Sequence, residues 1–363
     1  MSFQCIAPTG ARRTRFGEHP RYAEGLYDLG GNAYAWMVPN GSWGESNAGL
    51  VVGGGQSLLI DTLWDPLLTD AMLQAMEPLT RAAPVAILVN THADGDHFWG
   101  NQRLPKADSI TSEAARREMR RHRPGAMLSF GRLGRMLKGL PFRRARRVGQ
   151  YFAAMCAPYA FAQVVHMPAK RGFSGRLALD VGGRAVHLIE VGPAHTEGDL
   201  VVHVPDASLV YTGDVLFVGS TPVMWAGPLS NWLAALDLIE SLKPETIVPG
   251  HGPICGLEAV RLVREYWQYT LVEVRQRFEM GMPAHKAARD IVHSGSFQSS
   301  PFAGWDSPER MMTNAYLLYR DFRGRPGHHT VPQKLNLMRR QAELACELTS
   351  ALPAVMHNEE PLL

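Results

Sequence analysis

The stretch Thr91-His92-Ala93-Asp94-Gly95-Asp96-His97-Phe98-Trp99-Gly100-Asn101 comes one residue after the apolar run Val85–Val89. A short apolar run bounded by turn signals reads as a buried strand. Four side chains able to ligate a metal, His92, Asp94, Asp96 and His97, stand within six residues at its end. Packing alone gives little reason for such a cluster. Imidazole combined with carboxylate suits Zn, Fe and Mn better than Ca or Mg.

The pattern recurs downstream. His195 in Gly192-Pro193-Ala194-His195-Thr196-Glu197-Gly198-Asp199 follows a strand-like run at 185–191, and Asp214 follows Leu209–Tyr211. His251, in Pro249-Gly250-His251-Gly252-Pro253, follows Thr246–Val248. Four strand ends on one edge would assemble a two-metal centre, which clamps an attacking water and a leaving oxygen. The other ten histidines read as ordinary core or surface residues.

Further strand patterns lie at 33–38, 49–52, 57–60 and 200–204. Helical patterns lie at 66–76, with Asp65 as N-cap, and at 232–242 after Asn231. Strands alternating with helices predict a layered α/β protein with its site along one sheet edge. After Gly256 the character changes to amphipathic helix at 257–280, with shorter helices at 284–293, 308–322 and 333–348 and a loop at 295–306. The expected organisation is a catalytic domain over 1–256, carrying a basic and apolar insertion at 113–169, and a helical C-terminal region over 257–363. Trp305, Tyr316 and Tyr319 in that region are candidate pocket walls.

Length and composition narrow the class. A chain of 363 residues exceeds what one core usually spans, while 45% hydrophobic and 20% charged residues exclude a disordered chain. Four cysteines without a CxxC pair imply neither a disulfide framework nor a zinc knuckle. The first 17 residues lack the apolar stretch of a signal peptide, so a cytoplasmic location is expected. Residues 148–169 carry no Asp, Glu, Lys or Arg, but Gly149, Gln150, Pro158, Gln163 and His166 argue for a buried or pocket-lining segment and against a membrane span.

The net charge of +3 conceals +10 between residues 113 and 150 and −7 elsewhere. The readings are a solvated helix face, a dock for an anionic or carrier-bound small-molecule substrate or an acidic partner, and an amphipathic, membrane-touching or lid-like helix. Few aromatics interleave with these arginines, which disfavours nucleic-acid binding.

Together the motifs resemble the metallo-β-lactamase superfamily, whose HxHxDH, His, Asp and His elements stand at strand ends of an αββα sandwich. Residues 46–52 and 58–62 are similar to its first strands, and the resemblance covers roughly 26–256. It implies two divalent ions, zinc by family habit. His92 and His195 would hold the first, Asp96, His97 and His251 the second, Asp214 would bridge them, and Asp61 would orient a ligand from behind. The chain departs from the pattern at Asp94, which replaces the second His and is expected to ligate the first metal. Two divalent ions, Asp94, Asp96, Asp214 and one hydroxide sum to zero charge, against +1 with His at 94. A neutral centre accommodates Fe or Mn better. The activity implied is metal-assisted hydrolysis of an ester, thioester or lactone, with Asp96 holding the proton. The alternative is a diiron redox or oxygen-activating enzyme, since the flavodiiron branch carries a carboxylate at this position. The C-terminal region shows no FMN-binding pattern, and a nucleic-acid-binding or non-catalytic member ranks third.

Overall fold

The computed structural model describes residues 3–41, 43–325 and 331–357. Its first sheet has eight strands in chain order: β1 (Gln4–Pro8), β2 (Gly25–Asp28), β3 (Ala33–Met37), β4 (Ala48–Val52), β5 (Ser57–Ile60), β6 (Val85–Val89), β7 (Asp108–Ser112) and β8 (Arg171–Phe173). Pairing is antiparallel from β1 to β5 and parallel from β5 to β8. The second sheet runs β13 (Thr246–Val248), β12 (Leu209–Tyr211), β11 (Leu200–Val204), β10 (Ala185–Glu190), β9 (Arg176–Asp180). Only β12 and β13 pair in parallel within it.

The period-two alternation of strand side chains sorts residues into layers. Leu58, Ile60 and Val89 of the first sheet meet Val186, Leu188, Val202 and Tyr211 of the second in a shared apolar core. Their neighbours Leu59 and Leu88 face the other way, onto Met72 and Met76 of helix α1 (Pro66–Thr80). Ile189, Val201 and Val210 face helices α6 (Leu229–Ser241), α7 (Leu257–Glu279), α8 (Ala284–His293) and α10 (Met311–Phe322). The result is an αββα sandwich, and the helices after residue 257 share one apolar core with the second sheet. Gly49 is needed at the centre: a Cβ there would lie 2.3 Å from the Tyr211 ring, whose hydroxyl donates to the Tyr34 carbonyl 2.9 Å away.

The basic segment forms helices α3 (Glu113–Met119), α4 (Gly125–Lys138) and α5 (Arg143–Cys156). Phe130, Phe152 and Met155 pack with Trp64, Trp99 and Phe161, and Ala342 and Ala345 of a later helix, Val331–Ala345, join the same cluster. No helix among the described residues is long and apolar enough to cross a membrane. Asp65 caps α1 as expected, accepting from the amides of Leu67 and Leu68. Helix α6 starts three residues earlier than 232, after Pro228, so Asn231 lies inside its first turn, because Leu229 is already buried against the sheet. The loop at 295–306 begins with one helical turn, Gly295–Gln298.

Candidate metal centre

Four chain segments leave the strands at one edge and bring the expected ligands together. His92 and Asp94 lie in the turn after β6, and Asp96 and His97 on the helical turn Gly95–Phe98. His195 follows β10, Asp214 follows β12, and His251 follows β13. Their ligating atoms form three sets, each within 4.8 Å: His92 with Asp94 and His195, His92 with His97 and Asp214, and Asp96 with His97 and His251. The Asp214 carboxylate reaches every histidine: Oδ2 is 3.3 Å from His195 Nε2, 3.3 Å from His251 Nε2 and 3.8 Å from His92 Nε2, and Oδ1 is 3.2 Å from His97 Nε2. Gly250 makes room for it, since a Cβ there would lie 2.0 Å from Asp214 Oδ1. Asp94 Oδ2 lies 3.1 Å from His195 Nε2, and Asp96 Oδ2 lies 3.4 Å from His251 Nε2.

Each imidazole is held from behind by Nδ1. His195 Nδ1 donates to the Val223 carbonyl at 2.6 Å, and His251 Nδ1 to the Glu45 carbonyl at 3.1 Å. Asp61 organises the other two. Its Oδ2 accepts from His97 Nδ1 at 2.8 Å and from the Thr91 hydroxyl at 2.8 Å, and that hydroxyl, its proton so used, accepts from His92 Nδ1 at 3.0 Å. All four rings therefore carry hydrogen on Nδ1 and turn Nε2 inward, the arrangement in which outer hydrogen bonds fix a metal-binding tautomer.

The site fits a cation. His92 Nε2, His97 Nε2 and Asp214 Oδ1 are buried without a hydrogen-bond partner, which a protein rarely tolerates unless something else meets the group. Burial, then repulsion from His97 and His195, pushes His92 well below its ordinary value, so it is a neutral donor. Burial opposes ionisation of Asp214, but the charges of His251 and His97 outweigh it and hold the carboxyl well below the usual range. The mixed imidazole and carboxylate donors suit Zn, Fe or Mn.

One pocket opens onto this centre, with Asp94, Asp96, His195, Asp214 and His251 along it. Phe130, Tyr151 and Phe152 of α4 and α5 form one wall, and Trp43, Phe217, Val223 and Trp225 another. Ser307, Glu309, Arg310, Met338 and Gln341 close it from the C-terminal region. The insertion thus contributes aromatic rings rather than charge: none of its twelve basic residues lines the pocket. Arg144 instead pairs with Glu343 at 2.8 Å, and Arg147 donates to the Cys346 carbonyl at 2.6 Å. Trp305, Tyr316 and Tyr319 are not pocket walls either. Trp305 packs on Tyr266 at 5.6 Å, Tyr319 packs on Phe278 at 5.0 Å, and Tyr316 packs against the same core.

Several contributing residues escaped the sequence reading. Asp199 clamps the His195 loop, accepting from the Thr196 hydroxyl at 2.6 Å and from the Ala194 amide at 3.1 Å; its signal was present in the quoted motif. Glu309 accepts from the Tyr151 hydroxyl at 3.2 Å, and its Oε2 is buried without a partner. Burial pushes Glu309 up to about 7, against the opposing charge of Arg310. The folded protein therefore binds this proton more tightly than the unfolded chain, and the stability it contributes is present below the ordinary 4.5 and lost as pH rises through about 7. Glu309→Gln should match the parent near about pH 4 and exceed it by up to about 3 kcal/mol above about pH 8. Denaturant unfolding across that range checks this, and parallel pH profiles would refute it.

The sequence profile of the Metallo-beta-lactamase superfamily matches residues 41–251. The 2,4-dinitroanisole O-demethylase subunit alpha of Nocardioides sp. (strain JS1661) is 22% identical over 245 residues, 66% of this chain and 58% of that protein. A hydroxyacylglutathione hydrolase of Fuscovulum blasticum is 31% identical over 77 residues, 21% of this chain and 30% of that protein. The chain thus matches little more than half the length of the first relative and less than a third of the second. Among solved structures, a stereoselective inverting sec-alkylsulfatase from Pseudomonas sp. superposes with a TM-score of 0.58 at 15% identity, over 83% of this chain and 50% of that one. A metallo-beta-lactamase family protein from Thermus thermophilus superposes with a TM-score of 0.55 at 19% identity, over 82% of this chain and 95% of that one. At these identities the superpositions speak to the fold alone.

Proposed function

We propose that this chain, which belongs to the Metallo-beta-lactamase superfamily, is a metal-dependent hydrolase that cleaves an ester, thioester or lactone with an aromatic or apolar body. The observation that carries the reading is the convergence of four Nε2 atoms and three carboxylates on one pocket end, with three of those atoms buried and unpartnered. His92, Asp94 and His195 would hold one ion, Asp96, His97 and His251 the other, and Asp214 both. Bound divalent ions supply Lewis acidity, which makes water nucleophilic near neutral pH and polarises the substrate oxygen.

The protein's own groups do the rest. Asp96 lines the pocket, and its Oδ2 is the oxygen nearest His97 and His251, while no hydrogen bond to its Oδ1 is made among the described residues. That oxygen is placed to take a proton from water and return it to the leaving group. Asp61 keeps His97 and, through Thr91, His92 from rotating. Trp43, Phe130, Phe152 and Trp225 hold the apolar body and exclude bulk water.

The aromatic walls also favour a second reading, O-demethylation of an aryl methyl ether, the reaction for which the Nocardioides relative is named. Protein purified without added metal should contain two equivalents by elemental analysis. It should hydrolyse aryl esters, thioesters or lactones in a chelator-sensitive manner. Release of coloured phenolate from 2,4-dinitroanisole but from no ester would move the assignment to the second reading. Two irons with a visible absorption band and no hydrolysis of any of these substrates would favour redox chemistry.

A further inference from the structure

Arg310 lies between the 3-10 turn Pro308–Arg310 and α10, outside the residues 41–251 that match the family profile. It is 7% exposed and lines the pocket. A buried guanidinium normally finds a carboxylate, because an uncompensated buried charge is costly. Here one nitrogen donates to the Thr221 carbonyl at 2.8 Å, and no described carboxylate lies within 4.0 Å of the group. The neighbouring acids are engaged elsewhere: Glu309 accepts from Tyr151, and Asp306 pairs with Arg21 at 2.7 Å. Nε and Nη2 have no acceptor among the described residues, yet neither is among the fully enclosed unpartnered atoms, and Arg310 lines the pocket.

The position relative to the metal ligands is fixed by one ring. The guanidinium carbon stands 5.3 Å from the centroid of Phe217, and Phe217 stacks on His251 at 5.1 Å and touches His195 at 5.7 Å. Arg310 and the ligand histidines therefore meet the same ring, Phe217, and line one pocket, so an aromatic substrate could span from the open donors to the histidines. We propose that Arg310 is the anion anchor of this pocket, selecting substrates that carry a carboxylate or similar oxyanion one ring's length from the bond that is cleaved. The site of cleavage rests on the hydrolase reading; the anchor does not. The planar fork of a guanidinium suits a two-oxygen acceptor, and water exclusion by the walls strengthens the bond.

The test uses the metal-loaded protein with 4-hydroxybenzoate and phenol, a ligand pair differing by one para carboxylate. Calorimetry on the parent should show 4-hydroxybenzoate bound about tenfold tighter or more than phenol, the range of a charge-assisted hydrogen bond. Arg310→Gln should remove most of that difference, and Arg310→Lys should retain part of it through charge without the fork. Equal binding of the two ligands by the parent overturns the anchor, and this comparison needs no variant to fold. A carboxylate preference undiminished in Arg310→Gln overturns it too, placing the anion on the metals. Among substrates, the kcat/KM ratio of 4-acetoxybenzoate to phenyl acetate should fall toward one in Arg310→Gln. Arg310-dependent binding without hydrolysis of either ester, or of the corresponding thioesters and lactones, would keep the anchor and refute the hydrolase reading.

Discussion

Replacing Asp214 by Ala is expected to empty both metal sites and reduce hydrolysis by about a thousandfold or more, the several kcal/mol that bound metals contribute to the transition state. Among the described residues the carboxylate is the only one paired with all four ligand histidines, at 3.2 to 3.8 Å. Without it, His92 and His97, whose ring centroids are 4.1 Å apart, keep their positions but lose the negative charge between them. The centre then loses the one of its three carboxylates that lies between the two sites, so both ions lose a ligand at once. Asp214→Asn keeps the shape and removes the charge, so it separates packing from electrostatics: it should fold like the parent and still bind at most one ion. Elemental analysis after gel filtration reads the stoichiometry, and two retained equivalents in either variant would remove Asp214 from the bridging position.

The centre was legible in the sequence because its chemistry leaves little choice of residue. Metal-binding side chains come from a short list, here His and Asp, and strand ends hold them rigidly, so the candidates His92, Asp96, His97, His195, Asp214 and His251 could be read from short motifs after apolar runs. Strand β7 was not legible. Its sequence Asp108-Ser-Ile-Thr-Ser112 carries one large apolar residue, yet Ser109, Thr111 and Ser112 are buried because the strand is enclosed between parallel neighbours. The pocket wall was not legible either. Tyr151 meets Glu309 across 158 residues of chain, and nothing local in either segment specifies the contact. In sequence, Trp305 and Tyr319 look as suitable for a pocket as Trp43 and Trp225; only the way α7 and α10 pack decides which pair is core. Nothing local marks Glu309 and Arg310, charged neighbours that the turn before α10 buries. Charge counting picked out the basic segment but not its packing, in which helices α4 and α5 turn Phe130, Tyr151 and Phe152 toward the pocket.

Asp94 carries the second large effect. It is the one ligand position where this chain departs from the superfamily pattern, and its side chain lies in the set formed with His92 and His195. Burial raises its carboxyl, but the hydrogen bond from His195 and the charges of His195 and Lys334 outweigh this and hold it below the ordinary carboxylate value. An anion is therefore present where the first ion would sit, and its Oδ1 stays 3.9 Å from His122 Nδ1, a neighbour too distant to claim it. Asp94→Ala should lose one equivalent of metal, selectively from the His92 and His195 site. The fall in affinity should exceed the roughly 10–100-fold that removing an outer partner of a ligand costs. Asp94→His should retain two equivalents while adding one positive charge to the centre, which shifts preference from harder ions toward zinc. Competition between zinc and iron, read by elemental analysis of the parent and both variants, measures that shift. Two equivalents and an undiminished rate in Asp94→Ala would mean that the His92 and His195 site completes its coordination with Asp214 and water alone, and would reject Asp94 as a ligand.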